Sequence, residues 1–170
     1  MIRMTKRSTV TTRETPVQTV NTASAAGLVI RSENLAVDTK ERVELIDLTD
    51  RLMAYVRPLA IKEGMLTVWS MHTTCALFIN EVQPALDTDI KRFLEEMVGK
   101  DRYYKHNDPN HSDCDRQNAD SHLRAMLLGH SLTLQISGGD VVLGQWQRIL
   151  MGELDGPRTR TIRAQVWGLS

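Results

Sequence analysis

From Gly27 onward the apolar positions fall into short runs and periodic stretches; before it they do not. Leu28-Val29-Ile30 opens a predicted strand that runs to about Val37, and Val43, Leu45 and Ile46 mark a second, shorter one. Thr49 is the expected N-cap of a helix in which Leu52, Met53 and Val56 recur at helical spacing. Pro58 should end or kink that helix, and Gly64 should close the segment. Met65 to Met71 reads as a strand, with Ala76 to Ile79 as its partner or continuation; such apolar runs suit strands covered on both faces. Leu86, Ile90, Phe93, Leu94 and Met97 form an apolar stripe behind Pro84 and before Gly99, the clearest helix in the chain. Residues 100–117 are polar and without period. Asn118 can cap a helix through Leu128, with Gly129 as its left-handed stop. The remainder reads as β: Leu132 to Ile136, a Gly138-Gly139-Asp140 turn, Val141 to Leu154, an Asp155-Gly156-Pro157 turn, and Thr159 to Trp167. Strands before and after well-defined helices predict an α+β fold, a mixed or antiparallel sheet carrying two to three helices.

Composition sharpens this picture. Apolar residues make up 41% of 170, enough for a buried core, and no apolar run reaches the roughly 20 residues of a membrane span. Lysine plus arginine and aspartate plus glutamate number 21 each, so net charge gives no reason to expect a nucleic acid or an anionic membrane as partner. Cys75 and Cys114 stand in no metal-binding or redox spacing, and Cys75 reads as a buried free thiol. The lack of a disulfide framework points to a reducing, cytoplasmic compartment. Residues 1–25 are rich in Thr and Ser, with Arg3, Lys6, Arg7 and Arg13 against Glu14 alone. They are expected to be a flexible N-terminal extension, although a transit peptide would share that composition, and residues 26–170 a single domain.

Four clusters could carry chemistry. His72-Thr73-Thr74 follows a strand, and Asn80-Glu81 ends the next apolar run. An imidazole beside two hydroxyls and backbone amides could hold a phosphate, and Glu81 could take a proton or a metal; strand-end residues satisfying turn hydrogen bonds would look the same. The loop from Tyr103 to Asp108, continuing to His111, Asp113 and Asp115, crowds oxygen and imidazole donors suited to Mg²⁺, Mn²⁺ or Zn²⁺, or is a solvated acidic loop. His122 lies one helical turn after Asn118, where the helix dipole disfavours an imidazolium, so a neutral His122 would act as base or ligand if it acts at all. Gly144-Gln145-Trp146-Gln147 is followed by Glu153 and by Arg158 and Arg160, two residues apart and hence on one strand face, suited to a pyrophosphate or to surface acids. No P-loop, dinucleotide fingerprint or nucleophile elbow occurs.

The order of these motifs resembles the YjbQ family. The resemblance rests on His72-Thr73-Thr74-Cys75-Ala76, Asn80-Glu81, Tyr104-Lys105-His106-Asn107-Asp108, Asn118-Ala119-Asp120-Ser121-His122-Leu123, Leu143-Gly144-Gln145-Trp146-Gln147 and Asp155-Gly156-Pro157-Arg158-Thr159-Arg160, and covers about Gly27 to Gly168. It implies a compact α+β domain assembling as a homotrimer. It also implies a secondary thiamine-phosphate synthase activity, in which a hydroxymethylpyrimidine pyrophosphate joins a thiazole phosphate and pyrophosphate is released. Carried onto this chain, the family pattern points to His72, Glu81, His122 and Arg158 as catalytic, and to Thr73, Thr74, Asn80, Trp146, Gln147 and Arg160 as substrate- or anion-binding. Glu153 belongs to the same pattern. A divalent metal, Mg²⁺ before Zn²⁺ or Mn²⁺, would be held by His106, Asp115 and His122. Gln145 stands where the family commonly has Thr, Gln135 where Pro is usual, and His130 where Pro or Thr often precedes Ser. Two other functions fit the same residues: a metal-dependent hydrolase of a small phosphorylated compound, and a non-catalytic trimer that binds a metal or anion.

Overall fold

The computed structural model describes residues 23–25 and 27–170, so residues 1–22 of the predicted extension lie outside the described residues. Ala23–Ala25 (β1) pairs with Leu28–Asp38 (β2). Then follow Glu44–Asp47 (β3), Thr49–Val56 (α1), Glu63–Ser70 (β4), Cys75–Asn80 (β5), Pro84–Met97 (α2), Ala119–Leu128 (α3), Ser131–Ser137 (β6), Asp140–Val141 (β7), Arg148–Glu153 (β8) and Thr159–Leu169 (β9). The strands form a six-stranded sheet in the order β1-β2-β9-β4-β6-β7 and a three-stranded sheet in the order β3-β8-β5, and every described pairing is antiparallel. The α+β expectation holds, with three α-helices.

One face of the large sheet packs on the small one. β9 alternates strictly, so Ile162, Ala164 and Val166 face inward beside Leu66, Val68, Leu134 and Ile136, and meet Leu77, Ile149 and Met151 of the small sheet. α1 adds Leu52 and Val56 to this core. The other side of the small sheet is covered by α2 and α3 through Ala76, Leu94, Ala125 and Leu154. β5 and β8 are therefore covered on both faces, as the apolar run of β5 predicts, whereas β4, of which the same was expected, is not: Trp69 on its outer side is half exposed. β5 is also neither partner nor continuation of β4, because the chain turns at Met71 to Thr74 and crosses into the small sheet.

Several local expectations need correction. Thr49 is the first helical residue, not the cap; its hydroxyl oxygen accepts from the Ile149 amide at 2.8 Å. Gly64 lies inside β4, where it faces Gly168 across the ladder. Of the α2 stripe only Leu94 is buried; Phe93 and Met97 are exposed. The long β segment from Val141 breaks at residues 142–147. Gly129 ends α3 at φ 98°, ψ 163°, a positive-φ stop outside the left-handed helical region.

Candidate functional site

The loop between β4 and β5 brings His72, Thr73 and Thr74 to one end of the small sheet. There they meet the start of α3, the turn after β8 and the ordered loop before α3. That loop is anchored from within: the Tyr104 hydroxyl donates to the Gly99 carbonyl, and Asn107 Oδ1 accepts from the Ala119 amide at 3.0 Å. The second bond caps α3 in place of Asn118 and carries His106 to His122, with ring centroids 5.1 Å apart and planes at 86°. The result is a cleft of about 380 Å³ lined by these groups together with Cys114, Arg116, Asn118, Asp155, Arg158 and Arg160.

His72 Nε2 accepts a hydrogen bond from the Thr161 amide at 2.8 Å. A ring nitrogen that accepts carries no proton, so neutral His72 holds its proton on Nδ1 and can only donate through it. Burial, and secondarily the Arg160 guanidinium, hold His72 below the ordinary histidine value. His122 is lowered as well, by burial first and by His106 next, as a neutral His122 requires. Among the described residues, no backbone carbonyl accepts from the amides of His72, Thr73 or Thr74. Successive free amides of this kind form a receptor for an oxyanion.

The two arginines differ. Arg160, the first inward residue of β9, is buried and pairs with both oxygens of buried Glu153, while Nη2 also donates to Thr74 Oγ1 at 3.0 Å. Nε and Nη2 are thus engaged inside the protein, while Arg160 also lines the cleft, where it was expected as an anion ligand. Arg158 bonds Asp155 through Nη2 at 2.9 Å, and its Nε is buried with no partner. An unpaired buried donor costs free energy, and a ligand oxygen would recover it.

Sequence-predicted residues at the far end of the small sheet do not join this cleft. β5 pairs Cys75 with Glu153 at one end and Asn80 with Arg148 at the other, roughly 17 Å away at strand rise. Glu81 lines a different, apolar cleft with Leu45, Ile90 and Leu150. Trp146 is exposed, and Gln147 Oε1 accepts from the Gly144 amide within its own turn. Asp115 is exposed and absent from the cleft that holds His106 and His122. With His72 Nε2 engaged and Asp155 surrounded by guanidiniums, His106 and His122 are the remaining donors of the expected metal set. Among the described residues no group of three His, Cys, Asp or Glu side chains is arranged to hold a metal ion. Sequence reasoning missed Arg42 and Arg116, and saw Asp155 only as a turn residue. The available signal was Asp155 closely following Glu153 in a segment with two arginines.

Fold and cleft together define an antiparallel α+β domain with a cleft lined by histidines and arginines at one end of its smaller sheet. The chain belongs to the UPF0047 protein YjbQ-like family, which it matches over residues 33–169. A UPF0047 protein of Methanothermobacter thermautotrophicus is 44% identical over 139 residues, covering 82% of this chain and 93% of the relative. A solved YbjQ-like protein of unknown function from Sulfolobus solfataricus superposes with a TM-score of 0.77 at 32% identity, covering 83% of this chain and 99% of that one. A solved YjbQ/UPF0047 family protein from Clostridium acetobutylicum gives 0.71 at 29% identity, over 79% of this chain and 98% of that one.

Proposed function

We propose that the cleft binds the pyrophosphate of a pyrimidine substrate and that the chain joins this pyrimidine to a thiazole phosphate, yielding thiamine phosphate and pyrophosphate. The observation that carries the reading is that one concave site is lined by His72 with its proton on Nδ1, by Thr73 and Thr74, from whose amides no backbone carbonyl accepts, and by Arg158. In the reaction the thiazole nitrogen supplies the electron pair of the new C–N bond. The pyrimidine–oxygen bond breaks, and that oxygen leaves with its electrons on the pyrophosphate. Fixed donors aimed at the oxygen where charge develops lower the barrier without reorganising. Arg158, the loop amides and His72 are those donors. His122 and His106, both at the cleft wall, contact the substrates, His122 as a neutral group. The homotrimer implied by the family resemblance belongs to the same proposal. The partly exposed Trp69, Trp167 and Leu169 on the large sheet's outer side are apolar surface that association would bury.

The test is formation of thiamine phosphate by the purified protein given both organic substrates and Mg²⁺, beside the His122→Ala and Arg158→Ala variants. Turnover in the parent that falls at least about a hundredfold in Arg158→Ala is expected, the usual effect of removing one oxyanion donor. His122→Ala should likewise lose activity while keeping its fold. Phosphate release from one substrate alone would replace this reading with a hydrolase. Ligand-induced stabilisation without turnover would replace it with a binding protein.

A further inference from the structure

We infer that Asp155 is a positioning residue: its buried carboxylate holds the Arg158 guanidinium at the cleft, where it meets the bound anion. This rests on the anion-binding reading of the cleft given above. Asp155 is 4% exposed. Its Oδ2 accepts from Asn118 Nδ2 and from Arg158 Nη2, each at 2.9 Å, and its Oδ1 accepts from Arg42 Nη1 at 3.3 Å. Arg116 Nε lies 3.9 Å from Oδ2. One carboxylate thus serves three guanidiniums. The neighbouring charges are answered elsewhere: Arg42 by Asp120, Arg124 by Glu95, and Arg160 by Glu153. Asp155 stands alone between Arg158 and Arg116, and the cleft keeps a positive excess.

The placement is determined from both sides. The Asp155 amide donates to Glu153 Oε1 at 2.8 Å, which fixes the turn. The Arg158 amide donates to Thr39 Oγ1 at 2.8 Å, which fixes the arginine's backbone. Nη2 is held by Asp155, and Nε is buried and unpaired. An anionic residue inside an anion site weakens binding through its charge. It is tolerated where the geometry it imposes outweighs that repulsion.

These two effects have opposite signs, which makes the inference testable by calorimetric titration of the full chain with inorganic pyrophosphate. Asp155→Asn raises the charge of the cleft by one. A carboxylate that only balanced charge would bind pyrophosphate more tightly once removed. A positioning carboxylate predicts affinity about tenfold weaker, the worth of one charge-assisted hydrogen bond. In an Arg158→Ala background the same substitution should cost nothing further, because its effect passes through that arginine. Thermal unfolding checks that each variant is folded. Should Asp155→Asn not fold, Asn118→Ala takes its place in both comparisons, since it removes one of the bonds holding Asp155 and leaves every charge intact. Unchanged or tighter binding in the variant, or a full additional loss in the Arg158→Ala background, overturns the inference and leaves the anion site standing. Absence of pyrophosphate binding by the parent protein overturns both.

Discussion

Arg160 sits in the core with 2% of its surface exposed, and its Nε and Nη2 donate to Glu153 and Thr74. Glu153 in turn accepts from Thr39 Oγ1 at 3.2 Å and from the Asp155 amide. Such a pair, fully bonded, is close to neutral against a hydrophobic replacement, but removing one partner strands the other charge. Glu153→Ala is therefore expected to cost about 3–5 kcal/mol in urea unfolding; a loss below about 1 kcal/mol would mean that solvent reaches the guanidinium. Arg158→Ala should cost far less stability, since that side chain is partly exposed and its unpaired Nε gains nothing in the free protein. The distinction was open to sequence reasoning. Arg160 shares strand parity with Ile162, Ala164 and Val166, so the face it occupies is the core face.

At the scale of elements, two glycines face each other where Gly64 of β4 opposes Gly168 of β9. A Cβ on Gly168 would stand 2.3 Å from the Glu63 carbonyl oxygen, and one on Gly64 2.3 Å from that of Trp167. Both obstacles are backbone, so neither can rotate away. Gly168→Ala should destabilise the protein by about 2 kcal/mol, an overpacking cost, measured as a lower denaturation midpoint. Pyrophosphate affinity should be unchanged, because the cleft lies at the opposite end of both strands, by Ser70 and Thr161. Helix ends show why capping is hard to assign from sequence. Asn118 holds the cap position of α3 but gives its side chain to Asp155, while Asn107, twelve residues from Ala119, supplies the bond. α2 is capped by Gln83, whose Oε1 accepts from the Leu86 amide at 2.7 Å, a residue the pattern did not single out.

Across the whole molecule, the histidines of the cleft couple stability to pH. His72 and His122 both lie below the ordinary value of 6.5, chiefly through burial. Between their folded values and 6.5 the unfolded chain binds more protons, so acid favours unfolding and stability rises with pH through that window. The thermal midpoint should fall between about pH 7.5 and about pH 5.5, and the fall should be smaller in a His72→Gln, His122→Gln double variant. Gln is chosen because its amide oxygen can still accept from Thr161. Equal slopes in the two proteins would assign the acid sensitivity to other groups. No helix among the described residues is long and apolar enough to cross a membrane.

The sequence by itself determined the type and rough extent of most elements, the α+β class, the double coverage of β5, and the family. Those properties follow from period and composition, which are written locally. It also brought His72, Thr73, His106, His122 and Arg158 to notice as candidates. Only the tertiary structure decided which candidates meet. Whether Glu81 joins His72 depends on β5 being a straight strand between them. Whether an arginine serves a ligand or the core depends on partners such as Thr74, 86 residues from Arg160. Hydrophobic periodicity tells which face of an element is buried; it does not tell which polar group, brought from far along the chain, will wait there to satisfy a charge.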